Sequence, residues 1–335
     1  MTEPKAHSLP WQLEEVPCDF CGAPDADVLY SGRDRLHGLP GEFRVVVCRT
    51  CGLARTSPRL TPESLGAAYP EDYGPHQGGR AGPMPPGGLL RWALVNLRGY
   101  PLGSASSRSA RGLLWLPGAC VLRRRRSLRY LPFTGQGRLL DFGCGAGRYV
   151  AQMAAAGWQA EGLDLSPAAV QAGRNAGLVI HQGTLPGANL PDAAYDAITM
   201  WHALEHVPAP KATLAAAHAL LRPGGRLLVA VPRLDSLAAR WLGSAWYGLD
   251  LPRHLTHFTA RTLRRHLEST GFRVESCRGV RRPGFLRHGY AALARETGRA
   301  AHRWLSRSRL VTGLLSNVAL LVGRTQQIVC VARRG

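Results

Sequence analysis

Short apolar runs alternate with stretches of helical periodicity along the second half of this chain, and the alternation is regular. An apolar strand is predicted at Arg138–Phe142, followed by Gly143, Gly145 and Gly147 and at once by a helical pattern ending near Gly157. A second strand follows at Ala160–Asp164, and Ser166-Pro167 opens another helix. Strand signals then recur at Leu178–Gln182, at Asp196–Val207, after the Arg-Pro-Gly-Gly turn in Leu220–Pro232, at Phe272–Cys277 and at Gln327–Ala332. Strands interleaved with helices in this way predict an α/β protein built on a doubly wound, seven-stranded sheet. Earlier in the chain the pattern changes. Strand-like Asp27–Tyr30 and Phe43–Cys48 lie between two cysteine pairs, and residues 78–88 are rich in Gly and Pro, as a linker is.

The junction at 141–147 carries chemistry. Glycines after a parallel strand let the backbone turn sharply and approach a ligand, with the N-terminal N–H groups of the next helix facing it. Arg148 stands where the dinucleotide fingerprint G-x-G-x-x-G needs its third glycine, so that hydride-transfer reading is disfavoured. A carboxylate ending the second strand, Asp164, stands where a ribose diol is gripped in such sheets; as a bare helix cap it would be merely structural.

The segment Asp141-Phe-Gly-Cys-Gly-Ala-Gly resembles motif I of the class I S-adenosylmethionine (SAM) methyltransferases, and the ordered segments after Thr134 match that fold to Gly335. The resemblance implies a Rossmann-like methyltransferase sheet, SAM as cofactor, and contacts from Asp141, Gly143, Gly145, Gly147 and Asp164, with Thr184 and Leu185 beside the adenine. Many relatives carry an acid where Thr184 stands.

Cys18-Asp-Phe-Cys21-Gly and Cys48-Arg-Thr-Cys51-Gly are two C-x-x-C-G knuckles. Their four thiolates match a tetrahedral Cys₄ zinc site, and a closed shell of this kind is structural. A redox C-x-x-C normally comes as a single pair opening a helix. Cys120, Cys144, Cys277 and Cys330 lack such spacing and read as small buried apolar residues. The module resembles the zinc-binding domain that precedes the catalytic domain in bacterial sugar C-methyltransferases and in many bacterial methyltransferases of undetermined role. Pro70-Glu-Asp-Tyr73 is typical of the latter group. The organisation expected is a zinc ribbon over 1–75, a linker and basic apolar helical segment over 76–133, and a methyltransferase domain over 134–335, with a basic amphipathic insertion at 280–326.

For catalysis, residues at the carboxyl end of the fourth strand are the natural candidates: His202, Glu205 and His206. Glu205-His206 resembles the Glu-His pair at this point in many small-molecule methyltransferases. A second cluster, Arg253-His254-Leu-Thr-His257 beside Trp246 and Tyr247, reads as a wall for the acceptor. Taken singly, each histidine is better explained as a hydrogen-bonded structural residue. As a set they point to a general base, with His206 or His254 the choice.

Charge refines this picture. The chain carries a net +20, distributed as −4 over residues 1–75, +10 over 76–133, zero over 134–232 and +14 over 233–335. All basic residues but Lys5 and Lys211 are arginine, which genomic base composition can also produce. An acidic knuckle module argues against nucleic acid as partner. The reading favoured is methyl transfer to a small-molecule or glycan acceptor, such as a sugar or lipid-linked envelope precursor. An RNA methyltransferase and a non-catalytic SAM-binding scaffold are the alternatives. The polar, partly acidic start at Met1–Glu15 and the shortness of the apolar runs predict a cytoplasmic protein. Arg295, Arg299, Arg303 and Arg307 at steps of four, followed by apolar Leu310–Val322, predict a basic helical stripe. With arginines 123–126 and Trp92 and Trp115, it suggests peripheral contact with anionic membrane. Packing on the core or a homodimer contact competes with that reading.

Overall fold

The computed structural model describes residues 11–69, 86–103, 116–120, 122 and 129–335. Pro70–Tyr73, Trp115 and Arg123–Arg126, to which the sequence reading gave roles, lie outside the described residues.

Seven strands form the main sheet: β6 (Arg138–Phe142), β7 (Gln159–Asp164), β8 (Ile180–Gln182), β9 (Tyr195–Trp201), β10 (Leu221–Pro232), β12 (Phe272–Val280) and β13 (Gln327–Arg334). Their order across the sheet is 8-7-6-9-10-13-12, with β6–β10 parallel and β13 antiparallel to both neighbours. This is the doubly wound, seven-stranded arrangement expected from the methyltransferase-like pattern. The strands are apolar on both faces because helices cover both. Leu140, Ile198, Val229 and Cys330 point into one core, while Leu139, Ala197, Leu228 and Val329 point into the other. Order reverses beside β6, so β6 and β9 diverge at their carboxyl ends and open a crevice there.

The amino-terminal module adds β1 (Leu13–Glu14), β2 (Ala26–Gly32), β3 (Phe43–Cys48), β4 (Ala54–Thr56) and β5 (Arg59–Leu60). Its sheet is completed from the far half of the chain. Strand β11 (Thr256–His257) pairs antiparallel with β4, and Cys18, Cys48 and Leu53 share a core with Phe258, Leu263 and Leu267. The knuckle module is therefore built into the larger domain, not strung beside it.

Three features depart from the sequence reading. Cys277 and Cys330 face each other across β12 and β13 and are joined as a disulfide, instead of being separate buried thiols. Cys120 is exposed and Cys144 only half-buried. The arginine stripe is broken: Gly298, at φ +66°, ends the helix Pro283–Thr297, and Ala300–Arg307 and Arg309–Leu321 are separate helices. Arg295, itself exposed, donates to the Arg35 carbonyl, while Arg303 and Arg307 lie on the exposed second helix.

Candidate active site and metal centre

Strand β6 ends at Asp141-Phe142, and the glycines after it hold left-handed conformations, φ +68° at Gly143, +55° at Gly145 and +79° at Gly147. Two of them are also spatially required. A Cβ on Gly143 would sit 2.6 Å from the Ala203 Cβ, and one on Gly147 2.6 Å from the Leu178 Cδ1. The glycine loop thus lies against the loop after β9, and the helix Arg148–Ala154 begins directly behind it. Asp164, at the end of β7, accepts from the Gly145 N–H at 2.7 Å and from the Ser166 N–H at 2.9 Å. These bonds fix the carboxylate at the loop mouth and leave lone pairs for two vicinal hydroxyls. Asp141 is buried and accepts from the Thr199 hydroxyl at 2.6 Å. Burial, opposed by that bond and reinforced by the nearby Asp164 charge, pushes its carboxyl up to about 7. The cradle fits a nucleoside with a cationic group.

Thr184 is exposed beside this loop, whereas the Leu185 side chain is buried in the core and its carbonyl accepts from Thr213. Leu165, next to Asp164, is 65% exposed.

The loop after β9 carries the candidate catalytic side chains. His202 has φ +55°, a costly conformation for a histidine, held by its N–H bond to the Ala230 carbonyl. Its Nδ1 lies 3.1 Å from Glu205 Oε1, and its side chain is 30% exposed while that of Glu205 is 2% exposed. Burial would raise the Glu205 carboxyl, but His202, and beyond it His254 and His206, hold it below the usual carboxylate range. His206 packs edge-on to His254, ring centres 4.5 Å apart, and burial lowers it to about 4. His254 is buried, with Nδ1 2.9 Å from the Gly248 carbonyl. His257, on β11, is buried at the seam between the modules, 3.1 Å from the Thr56 hydroxyl, and lowered to about 3 by burial. Glu205, His206 and His254 are thus gathered into one cluster, and His257 stands behind it. His202 is the member with the greater access to the crevice.

Arg253 takes a different place from the acceptor wall read from sequence. It is fully buried, donating to Asp34 and Asp250, because the chain folds its loop back onto the knuckle module. Trp246 is buried as well, while Tyr247 stays half-buried against Phe285 and His288.

The two knuckles have matching geometry. Gly22 and Gly52, at φ +74° and +77°, donate to the Cys18 and Cys48 carbonyls, and the Cys18 and Cys48 N–H groups donate to Ala23 and Leu53. Cys18 and Cys51 sulfurs are 3.4 Å apart, Cys21 and Cys48 sulfurs 3.6 Å, and all four lie within 4.8 Å of one another. A tetrahedral Zn–S₄ centre has edges of about 3.8 Å, so the donor set fits zinc. Around it, Arg265 lies over the Phe20 ring and donates to the Cys51 carbonyl. Asp19 accepts from the Lys211 N–H, at the start of the helix Pro210–Leu220.

Residues 119–277 match the family model described as a methyltransferase domain. The chain is 34% identical over 132 residues to a ubiquinone biosynthesis O-methyltransferase of Xanthomonas oryzae pv. oryzae, covering 36% of this chain and 54% of that protein. A protein of the same name from Burkholderia pseudomallei is 29% identical over 157 residues, covering 43% and 67%. The chain thus spans about half the length of the first of these curated relatives. Among solved structures, a SAM-dependent methyltransferase from Mesorhizobium loti is 20% identical, covers 61% of this chain and 94% of that one, and has a TM-score of 0.44. One from Archaeoglobus fulgidus is 19% identical over 68% and 100%, also at 0.44.

Proposed function

We propose that this chain, whose residues 119–277 match a methyltransferase-domain model, transfers the methyl group of SAM to an oxygen of a small-molecule or glycan acceptor. The observation that carries this reading is the packing of the His202-Ala203 loop directly against Gly143 of the cofactor cradle. A His–Glu pair then stands beside the place where a methyl group would be presented.

SAM, when bound, supplies the methyl group as an electrophile and contributes the leaving sulfide. Asp164 would hold the ribose hydroxyls, Gly143–Gly147 would admit the backbone-close part of the ligand, and Thr184 and Leu165 would flank the adenine. Glu205 Oε1 accepts from the Nδ1–H of His202, which leaves His202 Nε2 as the acceptor of the hydroxyl proton. With an acceptor hydroxyl in place, His202 Nε2 would take its proton and the buried Glu205 would stabilise the resulting imidazolium. His206 and His254 bound the site from behind. Positioning supplies much of the rate in such an in-line displacement.

The acceptor class we favour is a sugar or lipid-linked envelope precursor met at a membrane surface. The relatives, named O-methyltransferases of ubiquinone biosynthesis, support an oxygen acceptor on a small molecule. Among the described residues no helix is long and apolar enough to cross a membrane. The helix Arg309–Leu321 nonetheless exposes Leu310, Leu314, Val318 and Leu321 on one side. Cys18, Cys21, Cys48 and Cys51 would hold one structural zinc, and Cys18→Ser with Cys48→Ser should release it in a metal assay.

Transfer of label from tritiated methyl-SAM into fractionated lipid, glycan, RNA and protein decides the acceptor class. Label in lipid or glycan is expected. Label confined to RNA would overturn the reading.

A further inference from the structure

We propose that Glu205, His206 and His254 form a second metal site, distinct from the cysteine centre, that takes a borderline divalent cation such as Zn²⁺ or Co²⁺. Their candidate ligand atoms all lie within 4.8 Å of one another. A tetrahedral ion with bonds of about 2.1 Å spaces its ligands about 3.4 Å apart, so the three side chains need to draw in by roughly 1 Å.

The hydrogen bonds around the two imidazoles decide which nitrogen is free. His254 Nδ1 is 2.9 Å from the Gly248 carbonyl, which only accepts, so Nδ1 carries the proton and Nε2 the lone pair. That lone pair points toward carboxylates: Nε2 lies 4.0 Å from Glu205 Oε1 and 3.7 Å from Asp250 Oδ2. His206 Nδ1 is 3.2 Å from the Arg253 carbonyl and 2.9 Å from the Tyr69 hydroxyl; the carbonyl only accepts and the hydroxyl can accept, so a proton on Nδ1 has partners and Nε2 can be left to an ion. Both histidines therefore have the outer hydrogen bond that orients a metal-ligating imidazole, with Nε2 left for the ion.

The carboxylate is short of partners. Glu205 is 1% exposed, and its Oε2 is buried with no hydrogen-bond partner. Such an atom costs about 1–3 kcal/mol, more when charged, unless something meets it. Formal charge points the same way. Arg253 is shared between Asp34 and Asp250, and among the described residues no arginine or lysine pairs with Glu205, whose ionic neighbours are His202 and His254. A cation held by Glu205 and the two imidazoles offsets the carboxylate's charge, meets Oε2 and gives the gathering of two histidines around a buried carboxylate a purpose.

Two nitrogens and one oxygen suit borderline metals better than Mg²⁺ or Ca²⁺, which prefer all-oxygen shells. Three protein ligands leave a coordination position open. If the methyl-transfer reading holds, an acceptor oxygen could occupy it and be acidified there; the metal claim itself does not depend on that reading.

The test compares metal uptake by full-length wild type, Glu205→Gln and His254→Gln after dialysis against EDTA. Each is titrated with Co²⁺ in a calorimeter while the thiolate-to-cobalt absorption of the cysteine centre is followed. Wild type should take up one equivalent more than either variant, with that absorption the same in all three, and circular dichroism should confirm folding. Equal uptake in wild type and folded variants would overturn the proposal. Should a variant fail to fold, wild type alone decides: the site requires one saturable equivalent that adds nothing to the thiolate absorption. Absence of that equivalent also overturns it.

Discussion

The guanidinium of Arg253 grips the carboxylate of Asp34 through two parallel bonds, Nη1 to Oδ2 at 2.9 Å and Nη2 to Oδ1 at 2.8 Å, with both side chains wholly out of water. Asp34 belongs to the turn after β2, and Arg253 to the loop that carries His254. This pair holds the knuckle module against the histidine cluster. Burial works against the charge on Asp34, but Arg253 and the N–H groups of His37 and Leu36 hold its carboxyl below the usual range.

Removing one partner leaves the other charged and buried. Arg253→Ala should lower unfolding free energy by about 3–5 kcal/mol. Arg253→Lys should recover little, because an ammonium cannot reproduce the planar fork. Urea denaturation of the three proteins measures this, and a loss below about 1 kcal/mol would show that the pair is dispensable.

Asp164 should matter to the cofactor and hardly at all to the fold. Among the described residues its two oxygens accept from the Gly145 and Ser166 N–H groups. Asp164→Ala should weaken SAM binding by at least tenfold, since a ribose diol would lose a charged partner worth roughly 2–4 kcal/mol. Calorimetric titration reads the affinity; an unchanged value would remove Asp164 from the site.

The Asp141 carboxyl, raised to about 7 by burial, makes a signed pH prediction. An unfolded aspartate titrates near 3.9. The native state therefore binds the extra proton between these values, and the stability this contributes is complete below about pH 4 and lost as pH rises through about 7. Unliganded protein should grow less stable by this contribution from pH 5 to pH 8, and Asp141→Asn should flatten the trend in melting curves. Cation binding runs the other way. Affinity for SAM should rise with pH, by at most about tenfold per unit, and level off above about 7.

His202 should carry the proton. His202→Ala is expected to reduce turnover by about 10²-fold or more on the true acceptor, the usual worth of a positioned base, with SAM affinity nearly unchanged. His257→Ala should act chiefly on stability, because His257 is buried against Thr56 and faces the seam. If His202→Ala turns over normally while His206→Ala or His254→Ala does not, the proton goes to one of the inner imidazoles instead.

Much of the sheet was legible because its signals are local. Arg138–Phe142 and Phe43–Cys48 fall on the predicted boundaries, since each is an apolar run cut off by glycines or a knuckle. The Gly298 break was also present as a glycine in a helical pattern, yet the four-residue arginine spacing masked it. What the sequence concealed depends on partners far along the chain. Thr256–His257 looks like part of a loop until β4 supplies its ladder. Arg253 resembles a ligand-binding arginine until Asp34, 219 residues away, is seen to neutralise it. Cys277 and Cys330 have no motif spacing, and only the register of β12 on β13 sets them side by side. The cluster around Glu205 was partly readable because three of its members, His202, Glu205 and His206, lie within one turn of chain.

The last prediction concerns the surface on which the acceptor is met. Leu310, Leu314, Val318 and Leu321 follow one side of the helix Arg309–Leu321, at 74%, 54%, 46% and 85% exposure, with Trp304 at 59% on the preceding helix. Exposed Arg299, Arg303, Arg307 and Arg309 flank them. An apolar stripe bordered by arginines and carrying a tryptophan matches what an anionic bilayer surface takes up, each arginine near it adding about 1 kcal/mol. The chain should float with phosphatidylglycerol vesicles at low salt and much less with neutral ones. Leu314→Ser with Leu321→Ser should abolish flotation while leaving the melting temperature intact, because both side chains already stand in water. Sedimentation equilibrium covers the competing occupant: a dimer that the double variant splits, with no flotation by wild type, would make this face a contact between two copies of the chain and end the membrane reading.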